Sequence, residues 1–147
     1  MKLSEIMTQE VEIIQPDDTL RLAAQKMRDR DIGFLPVCDG DSLMGVLSDR
    51  DITVRAFADG MDINVMLGRD LMTTPAIYAF DDQDITEAAK IMGENQIRRL
   101  VILGRENERV VGVISLGDLV RKGITDLSGQ VLQKVSEPEN QETPKAP

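Results

Sequence analysis

The chain repeats itself, and the repeat limits its fold more than any other feature. "GVLSDRDI" at 45–52 returns as "GVISLGDL" at 112–119, each reading Gly, two apolar residues, Ser, two variable residues, Asp. Met7-Thr8 returns 65 residues later as Met72-Thr73. At that offset Leu20, Ala23, Ala24 and Met27 return as Ile85, Ala88, Ala89 and Met92, and Ile32 and Leu35 as Ile97 and Leu100. The octapeptide glycines stand 67 apart, so the second copy has gained two residues. The surplus lies in "GRENER" (104–109), which reads as a surface hairpin. An insertion confined to a turn is what a duplicated unit tolerates.

Each copy reads as strand, helix, strand, strand, helix. "VEII" (11–14) and "AIYA" (76–79) are the opening strands, and "FLPV" and "LVIL" the next. Leu20, Ala23, Ala24 and Met27 fall at i, i+3, i+4 and i+7, one face of an amphipathic helix, and the second copy repeats that face. Asp17-Asp18 and Asp81-Asp82 precede the helices, where capping is the expected role. The chain divides into a first unit over 1–66, a second over 67–126 and an extension over 127–147. Ile124, Leu127, Val131 and Val135 are spaced for a further amphipathic helix, and the polar, proline-bearing end is expected to be disordered.

Composition removes several chemistries. There is no histidine, which excludes a Ser-His-Asp triad and the common zinc sites. A single cysteine, Cys38 in the apolar stretch "FLPVC", permits no intrachain disulfide and reads as a small buried hydrophobe. A formal charge of −9, with three Phe and one Tyr, argues against a nucleic-acid partner. No apolar run approaches the ~20 residues that span a bilayer, and the N-terminus lacks a signal-peptide pattern, so a cytoplasmic protein without a membrane partner is expected. No nucleophile–base pair or metal-ligand spacing is visible, and an enzyme is not expected.

The Ser-x-x-Asp corner has two readings. It is a capping box, which any helix can carry. It is also a nucleotide-binding corner: the helix N-terminus and the Ser hydroxyl suit a phosphate, and the Asp carboxylate suits a ribose diol. Gly45 and Gly112, on strands where glycine weakens packing, suggest space for a ligand's close approach.

Together, "IMTQEVEIIQPDDTL", "DIGFLPV" and "GVLSDRDI", followed by "LMTTPAIYAFDDQDI", "QIRRLVIL" and "GVISLGDL", resemble a tandem pair of cystathionine-β-synthase (CBS) domains, a Bateman module. The resemblance covers about residues 6 to 122. It implies an α/β (α+β) fold of two βαββα units packed about a pseudo-twofold axis, with two clefts between them. It also implies a regulatory ligand of adenosine type (AMP, ADP, ATP, NAD(H) or S-adenosylmethionine) and no catalytic cofactor or metal.

Carried over by position, a first cleft would use Ser115 and Val113 with Asp118 for ribose, and Thr8, Glu12, Ile32 and Gly33 around the adenine. Arg98 and Arg99 would face its phosphate. A second cleft would use Ser48 and Asp51, with Arg50 as a further charge and Thr73, Ile77 and Ile97 around the base. Gly33 and Phe34 stand there in place of the two arginines, so weaker binding of a multiply charged phosphate is expected. The resemblance further implies regulation of a separate, unknown protein. A homodimer would close through the helices after each corner, which carry Ile52, Ala56 and Phe57, and Leu119, Val120 and Ile124, and Leu127, Val131 and Val135 could extend it. The alternative is an interaction protein that dimerises and binds nothing in its clefts.

Overall fold

The computed structural model describes residues 1–138. In the first copy α1 (Leu20–Arg30) leads into the antiparallel pair β1 (Phe34–Asp39) and β2 (Ser42–Ser48). A corner helix follows, α2 (Asp49–Asp51), which continues as a π-helix over Ile52–Phe57. The second copy opens on α3 (Gly68–Leu71) and continues through β3 (Tyr78–Phe80), α4 (Ile85–Glu94), β4 (Arg99–Leu103), β5 (Val110–Ser115) and α5 (Leu116–Arg121). β3 pairs parallel with β4, and β4 antiparallel with β5.

The first copy lacks its expected opening strand. Residues 11–14 make only one parallel bridge, Ile14 to Val37. Its bonds run from the Ile14 N–H to the Pro36 carbonyl and from the Cys38 N–H to the Ile14 carbonyl. The next bond of a parallel ladder would need an N–H on residue 36, and proline has none. Val101 holds the matching place in the second copy, where the ladder runs over three residue pairs.

The alanine-bearing helix faces are buried as their spacing predicts: Leu20, Ala23 and Met27 in α1, and Ile85, Ala88, Ala89 and Met92 in α4. Their caps differ from the sequence reading. Thr19 Oγ1 accepts the Leu22 N–H at 3.1 Å, and Asp84 Oδ1 accepts the Thr86 N–H at 2.9 Å. The aspartate pairs instead tie the preceding turns, Asp17 to Arg69, Asp18 to the Gln15 N–H and Asp82 to Arg105. The Thr86 N–H, then its hydroxyl, then the Met1 amine hold the Asp84 carboxyl down at about 2. A carboxyl lowered in the folded state stabilises above its unfolded value of 3.8, and that contribution is lost as pH falls through about 2. Acid titration followed by circular dichroism should therefore show a smaller loss of stability between pH 4 and 2 for Asp84→Ala than for the parent.

Two cores form, and each takes its leading segment from the other copy. Leu3 and Ile6 lie in the second core with Ile85, Ala88 and Met92. Leu71 lies in the first core with Leu20, Ala23 and Leu35, and Met72 packs against it. The backbone bonds match across the repeat. Leu3 N–H donates to the Gln83 carbonyl at 3.0 Å and Gly68 N–H to that of Asp18 at 2.8 Å. Thr8 bridges Val113, and Thr73 bridges Val46. The division at 66/67 is thus one of sequence, and each core spans it.

Beyond α5, Gly123 takes φ +76° and turns the chain back. The expected further helix is α6 (Thr125–Ser136), which lies on α4 of its own chain with Val131 buried and Leu127 and Val135 against the same core. This corrects the expectation that these three could extend a contact between chains. The polar segment expected to be disordered lies largely outside the described residues. Ile52, Ala56 and Leu119 are also buried in their own cores, and Ile124 packs against the second. Phe57 and Val120 remain 76% and 55% exposed.

Candidate functional site

Two clefts open between the copies. The first, of about 230 Å³, is lined by Thr8, Glu12, Ile32 and Gly33 together with Arg99, Val113, Ser115 and Asp118. The second, of about 220 Å³, is lined by Thr73, Ile77 and Ile97 together with Phe34, Val46 and Pro75. Ser48, Arg50 and Asp51 do not reach the lining of the second cleft. Phe34, the register partner of Ser48 in the β1–β2 ladder, lines it instead.

Arg98 requires a correction. It lines the second cleft and not the first, whereas Arg99 borders both. The two arginines therefore meet at the second cleft, and only Arg99, the first residue of β4, also reaches the first. The expected poverty of the second cleft in positive charge is therefore reversed.

Both corners close as capping boxes. Asp118 Oδ2 accepts the Ser115 N–H at 2.7 Å, and Ser115 Oγ accepts the Asp118 N–H at 3.1 Å. Asp51 and Ser48 repeat this at 2.9 and 3.1 Å. Each Asp keeps Oδ1 outside the cap. On Asp118 it pairs with Arg121, and on Asp51 it lies 3.9 Å from Arg55. Glu12, beside the first cleft, is held by Lys26 at 3.1 Å and Arg30 at 3.3 Å.

The glycines leave room for protein. A Cβ on Gly112 would fall 2.5 Å from the Met7 sulfur, and one on Gly45 would fall 2.7 Å from the Thr73 carbonyl oxygen. The exchanged segments occupy the space that the sequence reading gave to a ligand. Cys38 is buried, and that burial, with Asp41 nearby, pushes its thiol up to about 11, far from an activated nucleophile.

Sequence reasoning placed Phe34 at the second cleft but missed that it borders the first as well, and it missed Glu10, Asp31 and Arg121, which line the first. That Phe34 borders both clefts was within reach, because it stands 65 residues before Arg99, which does the same.

Two βαββα-type copies with exchanged leading segments and paired clefts define a CBS-pair module. The family model described as "CBS domain" matches residues 3–56 and again 68–124, and the chain belongs to this family. Hypoxic response protein 1 of Mycobacterium tuberculosis is 36% identical over 118 residues, 80% of this chain and 81% of that protein. Its crystal structure, with two coordinated zinc ions, matches with a TM-score of 0.75 at 35% identity over 82% of this chain and 98% of that one. The CBS domain-containing protein YhcV of Bacillus subtilis is 32% identical over 135 residues, 91% of this chain and 94% of that protein. Among the described residues of this chain, no three Cys, Asp or Glu side chains come together as a metal site, and no helix is long and apolar enough to cross a membrane.

Proposed function

We propose that the chain is a regulatory module that binds an adenosine compound (AMP, ADP, ATP or NAD(H)) in the clefts between its copies and signals to a separate protein by changing shape. One observation carries this: each cleft takes walls from both copies, so a ligand that fills it ties their relative orientation to occupancy. The fold itself accommodates such ligands elsewhere. CBSX2 has been solved with AMP, at 23% identity to this chain and a TM-score of 0.72. Regulation fits the site better than catalysis, since among the described residues neither cleft is lined by a His, Cys or Lys side chain.

In this reading Asp118 meets the ribose through Oδ1, and the diol displaces Arg121. Calorimetry on ligand-free protein should detect one of the four nucleotides, and Asp118→Ala should remove about 1.5–3 kcal/mol from the binding in the first cleft, roughly 10–150-fold in its Kd. The same reading places a homodimer at the exposed Phe57 and Val120 faces of the corner helices.

The closed capping boxes favour a second reading, an assembly protein whose corners are complete without ligand. No binding heat from any of the nucleotides, together with a light-scattering mass of twice 16.3 kDa, would establish that reading instead.

A further inference from the structure

The two clefts differ in charge far more than their shared ancestry requires. The first is lined by four carboxylates, Glu10, Glu12, Asp31 and Asp118, against two guanidiniums, Arg99 and Arg121. Arg121 is already spent on Asp118. Among the described residues the second is lined by two guanidiniums, Arg98 and Arg99, no carboxylate, and otherwise mainly apolar side chains. Among the described residues neither Arg98 nor Arg99 has an ion-pair partner.

A matched pair of positions shows the difference directly. The Leu116 N–H donates to the Arg98 carbonyl, as the Asp49 N–H donates to the Gly33 carbonyl, both at 2.9 Å. At this place the second cleft has an arginine beside a leucine. The first has a glycine beside an aspartate, and a Cβ on Gly33 would lie 2.7 Å from Asp49 Oδ2. Equivalent backbone thus presents a cation to the second cleft and only a glycine to the first.

We infer that the second cleft is the module's tighter phosphate site: it takes the anionic group of a phosphorylated ligand between Arg98 and Arg99, ahead of the first cleft, which holds such ligands more weakly. Two unpaired guanidiniums beside apolar walls favour phosphate oxygens, because charge-assisted bonds strengthen as water is excluded. In the first cleft a phosphate would meet a carboxylate majority and would compete with Asp118 for Arg121. Phe34 provides a flat apolar surface beside the arginines for the rest of the ligand.

The inference rests on the adenosine reading for the ligand's identity but not for the anion. Its test is an NMR titration of the labelled protein with AMP, adenosine and inorganic pyrophosphate. AMP and pyrophosphate should shift the amides of Ile77 and Ile97, in the second cleft, before those of Glu12 and Ile32. Arg98→Gln should raise the Kd for AMP and for pyrophosphate at least tenfold, and leave adenosine within twofold. Lys90→Gln, which removes the same charge from the exposed face of α4, should leave all three within twofold. First movement of the Glu12 and Ile32 amides by AMP would overturn the inference, as would a larger loss with Arg121→Gln than with Arg98→Gln. Adenosine binding without either anion would overturn it and leave the adenosine reading standing. Pyrophosphate binding at Ile77 and Ile97, with AMP no tighter and adenosine silent, would support the phosphate site and defeat the adenosine reading.

Discussion

Leu3→Ala should cost about 2–5 kcal/mol of stability, as much as a substitution in the middle of a core. A residue so near the end of a chain is ordinarily tolerant of change. Leu3 is different because it is fully buried among Ile85, Ala88 and Met92, and its N–H is bonded to the Gln83 carbonyl. Removing its isobutyl group leaves a cavity in the second core, although the residue precedes the first. Urea unfolding of Leu3→Ala beside Met1→Ala, whose side chain is exposed, tests this. The latter should stay within about 0.5 kcal/mol of the parent. Equal stability of the two variants would mean that the leading segment does not hold the second core.

Gly45→Val should cost about 1–3 kcal/mol through overpacking, and Gly45→Ala should cost more than Gly112→Ala. The closest approaches alone suggest the opposite order, because the Gly112 position has the shorter one, 2.5 Å against 2.7 Å. What matters is the atom being met. At Gly112 it is the Met7 side chain, which has three rotatable bonds and can swing aside. At Gly45 it is the Thr73 carbonyl, fixed because Val46 and Thr73 exchange both of their backbone bonds, at 3.1 and 2.9 Å. Thermal melts of the two alanine variants decide the matter: a larger loss at Gly112 would show that the Thr73 segment yields more readily than Met7.

The sequence carried the local geometry well. Period-3.6 spacing identified the buried faces of α1 and α4, and the glycine–serine–aspartate pattern identified both corners, because such signals depend only on near neighbours. It carried the long-range pairings poorly. Met7-Thr8 and Met72-Thr73 were visible as a repeat, yet nothing local says that each packs on the opposite copy. Period also says which side of α6 is apolar without saying what that side meets, so Val131 was open to another chain until α4 was seen beneath it. The clefts divide in the same way. Thr8, Ile32 and Ser115 could be placed by their offsets, whereas the cleft that Arg98 faces depends on how the two copies pack together.

The crossed leading segments also bear on how a chain of this kind could begin. A lone copy, from its Met-Thr segment to its corner helix, would hold out a segment that fits its twin better than itself. Two such chains would each complete the other by reciprocal swapping, and a twofold swap closes on itself without leaving a free end to recruit a third. The present protein has the geometry of that swapped pair with the end of one chain joined to the start of the next. Joining them makes the encounter intramolecular and frees each copy to change alone. Only after that step could one cleft gather arginines while its twin gathered carboxylates.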